Sequence, residues 1–102
     1  MNPRYALLAA CMMHVEGYYS TKSLAYRNRN PGNLEVIGRP GLMRVFDAPI
    51  DGFEALVNDI AANAGKRIID FVYKFAPASE NDSQMYVQTV CTLSGFHPGD
   101  TL

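Results

Sequence analysis

Apolar residues recur at helical spacing in four segments of this chain. The first segment, Tyr5–Val15, is apolar on nearly every face, which is typical of a helix buried at the centre of a domain. Asn2 is suited to capping its start, and Pro3 fits the first helical position. Gly17 fits the position just after its end, so Glu16 is predicted to lie in its last turn.

Two short apolar runs follow a polar loop over residues 18–31. They cover residues 33–37 and 42–46, with a two-residue alternation, and are joined by the sequence Gly-Arg-Pro-Gly. Alternating runs on either side of a short connection with glycine and proline predict a β-hairpin.

The second half of the chain predicts three further helices. The motif DGFE at residues 51–54 resembles a capping box at the start of one helix, which is expected to end by Gly65. Another helix covers residues 67–75, and the last runs from about residue 82 to 94. We therefore predict one α+β domain over residues 1–102, mostly helical, with a central buried helix and a small β-hairpin.

Composition narrows the range of partners. The chain has 102 residues and a net charge of −1, so it offers one modest core and no basic surface for nucleic acid. Its apolar runs are far shorter than the roughly 18 residues of a membrane span. Neither Cys11 nor Cys91 belongs to a cluster of cysteine and histidine residues at metal-ligand spacing, so we predict no metal and no cofactor. We expect a monomer.

Glu16 is the first candidate for chemistry. The negative end of the helix dipole and the apolar neighbours both favour the protonated form of its carboxyl group. A carboxylic acid held protonated near neutral pH can donate its proton to a glycosidic oxygen. The alternative is a solvated glutamate at a frayed helix end, because most unusually placed carboxylates are not catalytic.

The segment after Glu16 is rich in neutral hydrogen-bonding groups and tyrosine rings, which suit sugar hydroxyl and N-acetyl groups. Asparagine and glycine also build turns, so this composition has a purely structural explanation as well. The candidate substrate-binding residues in the segment are Ser20, Tyr26, Arg27, Asn30 and Asn33.

The segment from Glu16 to Leu34 resembles the E-G … S-x-x-x-R-N-N-N-P-G-N signature of small lysozyme-like domains of bacteria and phages, which are related to lysozymes and lytic transglycosylases. The similarity continues through V-F-D-A-P at 45–49, G-F-E-A-L at 52–56, A-P-x-x-E-N-D at 76–82 and Tyr86, so it covers nearly the whole chain in order. One departure is Arg29, which stands where the signature has asparagine. The resemblance implies a lysozyme-like fold, with a catalytic glutamate at the end of the first helix and a β-hairpin beside the cleft.

The same resemblance implies cleavage of peptidoglycan glycan strands at the MurNAc–GlcNAc bond, by a muramidase or a lytic transglycosylase. Glu16 would be the general acid. Tyr86 would line the site from the last helix, and the loop under the cleft would be shaped by Ser20, Arg27, Asn30 and Asn33.

Glu35 and Asp47 are the candidates for a second catalytic carboxylate, and Asp51 is better explained as a helix cap. A retaining glycosidase needs its two carboxyl groups about 5–5.5 Å apart and an inverting one about 6.5–9.5 Å. If neither residue reaches the cleft, intramolecular attack by a muramic acid hydroxyl, the transglycosylase route, is favoured. The other class of function is a non-catalytic cell-wall-binding or virion structural module with the same fold.

The apolar run before Cys11 is too short for the core of a signal peptide. We therefore expect a protein that acts on the cell wall without its own export signal. It would be released by a phage, carried in a virion or part of a longer exported protein.

Overall fold

Five helices form in the computed structural model, which describes residues 1–102. They make up 49% of the chain. In order they are α1 (Pro3–Val15), α2 (Leu24–Arg27), α3 (Pro49–Ala61), α4 (Ile68–Phe75) and α5 (Ser83–Ser94).

Helix α1 begins and ends where the sequence predicts. The Asn2 side chain accepts hydrogen bonds from the backbone N–H groups of Arg4 and Tyr5. At the other end Gly17 has a φ of 78°, and its N–H donates to the His14 carbonyl. The N–H of Tyr18 donates to the carbonyl of Met13, which completes a Schellman motif with Glu16 as the C-cap.

The core lies where α1 packs against α3 and α5, and α4 covers α5. Helix α1 was predicted to be buried on nearly every face, but it buries only one broad side. The exposed Leu7, at 42%, marks the side that faces solvent. The helical spacing in the second half correctly predicts most of the remaining core. The fully buried larger apolar side chains of the helices are Leu8, Met12, Leu56, Ile60, Ile68, Phe71, Val72 and Val90.

The predicted β-hairpin, and with it the α+β class, is wrong. Residues 33–46 form a loop with one isolated antiparallel bridge between Glu35 and Met43, and the chain has no sheet. The next ladder bond would run from the Leu34 N–H to the Arg44 carbonyl. Instead the Asn30 side chain accepts from the Leu34 N–H and donates to the Arg44 carbonyl, each at 2.9 Å.

On the other side of the bridge, turn hydrogen bonds replace the ladder. The N–H of Leu42 donates to the Arg39 carbonyl, and the N–H of Arg39 donates to the Val36 carbonyl. Pairing therefore stops at one bridge, and the side chain of Ile37 is left 94% exposed.

Helix α3 starts earlier than predicted. Pro49 occupies its first turn and Ala48 is the N-cap, without a side-chain hydrogen bond. Asp51 therefore lies inside the first turn, where its carboxylate interacts favourably with the helix dipole but does not cap the helix. The predicted start of α5 is confirmed, since the Asp82 carboxylate accepts from the Met85 N–H.

Two further findings complete the fold. Within the loop predicted over residues 18–31, Ser23 caps the short helix α2 by accepting from the Tyr26 N–H. No helix of the structure is both long enough and apolar enough to span a membrane.

Candidate active site

A cleft of about 840 Å³ runs between the loop that follows Asn33 and the helices α3 and α4. Glu16 and Asn33 lie in its wall at the end of α1, and Glu35 lies on the loop side. Helix α3 contributes Asp59, and α4 contributes Lys74. The cleft thus combines apolar surface with carboxyl, amide and ammonium groups, the mixture that fixes the orientation of a polar ligand.

Glu16 is held in place at both its backbone and its side chain. The Schellman motif fixes the backbone at the end of α1. The Asn33 amide nitrogen then donates to the backbone carbonyl of Glu16 at 3.3 Å and to its carboxyl Oε1 at 3.2 Å. The hydroxyl of Tyr86 donates to the other carboxyl oxygen, Oε2, at 2.8 Å. One carboxyl group is therefore positioned from α1, α5 and the loop together.

The environment of Glu16 favours its protonated form. Burial raises the pKa of its carboxyl group, while the hydrogen bonds from Tyr86 and Asn33 act in the opposite direction and only partly offset burial. The carboxyl group is therefore held with a raised pKa between two donors that stabilise its anion once a proton has left.

Tyr86 is 4% exposed, and its hydroxyl is almost completely buried against Glu16. Burial and the adjacent Glu16 charge both raise the pKa of Tyr86 well above its ordinary value. The phenol therefore keeps its proton and acts as a hydrogen-bond donor to Glu16.

Asn33 has a φ of 49°, a left-handed conformation that asparagine tolerates better than most residues. This conformation turns its amide nitrogen towards Glu16. Its Oδ1 atom is buried without a hydrogen-bond partner.

The loop beneath the site depends on two close backbone approaches. A Cβ atom on Gly32 would lie 2.8 Å from a Leu56 methyl carbon. A Cβ on Gly52 would overlap the Arg29 carbonyl oxygen and lie 2.7 Å from the Pro31 ring. The Asn-Pro-Gly turn therefore packs directly on α3, which places Asn33 next to Glu16.

Of the predicted substrate-binding residues, only Asn33 lines the cleft: Tyr86 contacts Glu16 from the core side and is not part of the lining, and the others also lie away from it. Asn30 is completely buried, and its side chain bonds only backbone groups of the loop. Ser20 is an exposed turn residue and Arg27 is exposed. The Tyr26 ring is 46% exposed and lies 5.9 Å from that of Tyr18.

The two predicted second carboxylates differ in position. Glu35 lines the cleft, but its Oε2 atom accepts from the Gly41 N–H at 2.9 Å and so closes the loop turn. Asp47 is exposed and lies outside the cleft lining.

Sequence reasoning missed the polar groups on the α3 and α4 side of the cleft. Asp59 is the main one: burial raises the pKa of its carboxyl group, and the nearby Lys74 partly offsets that effect. Asn63 and Lys74 lie in the same wall. In the sequence these residues look like the solvated face of amphipathic helices, and no spacing distinguishes them from other surface positions.

No three histidine, cysteine, aspartate or glutamate side chains converge in the way a metal site requires. Comparison of the chain with protein-family models, with curated proteins and with solved structures found no match.

Proposed function

We propose that this protein cleaves peptidoglycan glycan strands at the MurNAc–GlcNAc bond, with Glu16 as general acid. The observation that carries the proposal is the Glu16 carboxyl group itself, which lies in a cleft wall with a pKa raised by burial and bonds to Tyr86 and Asn33. The resemblance of residues 16–34 to the signature of lysozyme-like domains supports the choice of substrate.

The first step is proton transfer. Protonated Glu16 donates its proton to the glycosidic oxygen, and the bond between that oxygen and C1 of MurNAc breaks, with the electron pair leaving on oxygen. Positive charge develops at C1 while Glu16 becomes a carboxylate. The Tyr86 hydroxyl and the Asn33 amide are placed to stabilise that carboxylate as it forms.

The second step returns the proton. The Glu16 carboxylate accepts a proton either from water, which attacks C1 and gives a reducing end, or from the O6 hydroxyl of the same MurNAc, which gives an anhydro-muramic end. The intramolecular route needs only Glu16. The water route gains from a second carboxylate, for which Glu35 and Asp59 line the cleft.

The test is mass spectrometry of purified peptidoglycan after incubation with the protein. We expect shortened glycan strands from the unmodified protein, and a loss of at least about 100-fold in rate for Glu16→Gln, because general acid catalysis typically contributes that much or more. Glu54→Gln is the matched control, since Glu54 is an exposed residue of α3 outside the cleft. Anhydro-muramic ends would assign the transglycosylase route and reducing ends the hydrolase.

Unchanged turnover in Glu16→Gln would refute the role of Glu16. The second class of function is a module that binds cell-wall glycan without cutting it, favoured by the hydrogen bond that ties Glu35 to the loop turn. If the folded protein binds peptidoglycan and releases no fragments, that second function replaces the enzyme.

A further inference from the structure

Two lysines converge on one buried amide oxygen at the α3 and α4 side of the cleft. The Oδ1 atom of Asn63 accepts from Lys66 Nζ at 2.9 Å and from Lys74 Nζ at 3.1 Å. Asn63 is only 4% exposed, and its amide nitrogen donates to the Asp59 carbonyl at 2.8 Å. The shared acceptor therefore has a fixed position and holds both ammonium groups together.

The backbone that carries Lys66 is also fixed. Its N–H donates to the Asn63 carbonyl, and its own carbonyl accepts from the Leu102 N–H at 2.8 Å. Lys74 stands on α4 and lines the cleft that contains Glu16. The pair is thus built from two elements held by the fold. Lys74 and Asn63 line the cleft, and Lys66 lies just outside the lining, joined to it through the shared Asn63 oxygen.

The positive charge of this pair is only partly compensated. Asp70 is engaged with Arg67 at 2.8 Å, and neither Lys66 nor Lys74 forms an ion pair with a carboxylate. Asp59 faces Lys74 without reaching it, so two carboxylates accompany three cations. The adjacent Lys74 also lowers the pKa of the Lys66 ammonium group, as expected for like charges that share a neutral partner.

Each ammonium group has three donors, and the Asn63 oxygen uses one of each. An anion placed between them would receive charge-assisted hydrogen bonds from both sides. Peptidoglycan differs from neutral glycans such as chitin in its carboxylates, which are located on muramic acid or on the peptide attached to it.

We propose that Lys66 and Lys74 bind a carboxylate of the peptide attached to muramic acid, and so select peptide-bearing glycan over neutral glycan. This inference rests on the proposed function, because it assigns the substrate of the same cleft.

The test is calorimetric titration with GlcNAc–MurNAc dipeptide, which lacks the scissile MurNAc–GlcNAc bond, against the same compound with its carboxylates amidated. We expect the free carboxylate form to bind roughly tenfold more tightly, and this preference to disappear in Lys66→Gln/Lys74→Gln. It should also weaken as salt is raised. Lys22→Gln is the matched control, because Lys22 is exposed and outside the cleft lining.

GlcNAc–MurNAc with only its lactyl carboxylate separates the two sources. In the dipeptide the lactyl carboxyl group is an amide, so only peptide carboxylates remain. Weaker binding of GlcNAc–MurNAc than of the dipeptide supports the peptide carboxylate as the ligand, and tighter binding would overturn that choice in favour of the lactyl group. Equal affinity for the free and amidated dipeptides, or a preference that survives in a double variant with an unchanged melting temperature, would overturn the proposal.

The outcome for catalysis is read separately. Cleavage of peptidoglycan without any carboxylate preference would overturn the lysine site alone. A carboxylate preference in a protein that cuts nothing would leave the lysine site standing and remove the enzymatic function.

Discussion

Replacing Tyr86 with phenylalanine removes one buried oxygen atom and keeps the ring that packs in the core. Tyr86 is 4% exposed and its ring lies 6.3 Å from that of Phe75, so the apolar contacts remain. The only hydrogen bond lost is the 2.8 Å bond to Glu16 Oε2. The variant therefore isolates the contribution of that bond.

The size of the effect depends on the protonation of Glu16. A bond between neutral groups contributes about 0.5–1.5 kcal/mol to stability, and a bond to a charged group about 1.5–3 kcal/mol. The cost of Tyr86→Phe should therefore be about 1 kcal/mol at acidic pH, where Glu16 is protonated, and about 2 kcal/mol where it is ionised.

Proton linkage gives the same sign. Burial already raises the pKa of Glu16, and removal of a donor that favours the carboxylate raises it further. An acid whose pKa is raised by folding contributes stability below its unfolded-state pKa and loses that contribution as the pH rises towards its folded-state pKa. The variant must therefore lose more stability than the unmodified protein as the pH increases.

The assay is urea unfolding at about pH 3.5 and about pH 8, which lie on either side of the usual range for glutamate. A difference of 1 kcal/mol also corresponds to roughly 4–8 °C in melting temperature for a domain of this size. Tyr73→Phe serves as control, because Tyr73 is 41% exposed on α4 and outside the cleft lining. In a Glu16→Gln background the cost of Tyr86→Phe should be the same at both pH values.

A cost that does not change with pH in the unmodified background would refute this account of Glu16. The account would also be refuted if the cost of Tyr86→Phe changed with pH as much in the Glu16→Gln background as in the unmodified one. For catalysis, the alkaline limb of the pH–rate profile should shift to higher pH in Tyr86→Phe, because the general acid stays protonated to higher pH. A downward shift would contradict the assigned direction of the hydrogen bond.

Two further substitutions test the loop beneath the site, both by urea unfolding. Gly52→Ala should destabilise the protein by about 1–3 kcal/mol, because the new Cβ overlaps the Arg29 carbonyl oxygen. Gly99→Ala is the control and should change the stability by no more than about 0.5 kcal/mol, because no atom lies near its new Cβ. Equal destabilisation by the two substitutions would contradict the close approach at Gly52. Arg29 has a φ of 51° and its Nε–H donates to the Phe46 carbonyl. Arg29→Lys should lower the stability by about 1 kcal/mol, because it loses that hydrogen bond and keeps the strain of the left-handed backbone. Arg29→Asn also loses the bond, but it should be nearly neutral, because asparagine relieves a left-handed strain of about 1–2 kcal/mol. A larger cost for asparagine than for lysine would contradict this balance.

The helices could be predicted because their signals are local. Asn2 and Asp82 cap α1 and α5 with their own side chains, and Gly17 and Gly95 end the same helices with a positive φ. The start of α3 was misjudged because Pro49 fits both a chain break and a first helical turn, and the acidic motif that follows imitates a cap.

The hairpin prediction failed for a reason that lies outside the two apolar runs. Their alternation and the Gly-Arg-Pro-Gly connection do predict a hairpin, and the chain does reverse there. However, the Asn30 amide takes the place of a ladder bond between Leu34 and Arg44. A side chain that replaces a backbone partner leaves no trace in the hydrophobic pattern, so this outcome requires the tertiary structure.

The candidate site likewise contains residues that local sequence signals could identify and contacts that depend on the tertiary structure. Glu16 and Asn33 could be singled out from the sequence because a helix end and a turn place them, and Tyr86 only through the resemblance. The contact between Glu16 and Tyr86 joins residues 70 positions apart and depends on α1 packing on α5. Asp59, Lys66 and Lys74 were missed because surface positions on helices and in their connections carry such residues routinely.

The Glu16 site and the lysine pair have opposite electrostatic tasks in the proposed function. At Glu16, burial is the larger effect and raises the pKa of the carboxyl group, and the two hydrogen-bond donors Tyr86 and Asn33 would stabilise the anion that the proposed proton transfer creates. At Lys66 and Lys74, the shared Asn63 oxygen holds two cations close together, but as a neutral amide it does not neutralise their charge. A substrate that accepts a proton from Glu16 and brings a carboxylate to the two lysines satisfies both sites at once. A neutral glycan would satisfy only the first, and on that difference the proposed selectivity for peptide-bearing glycan depends.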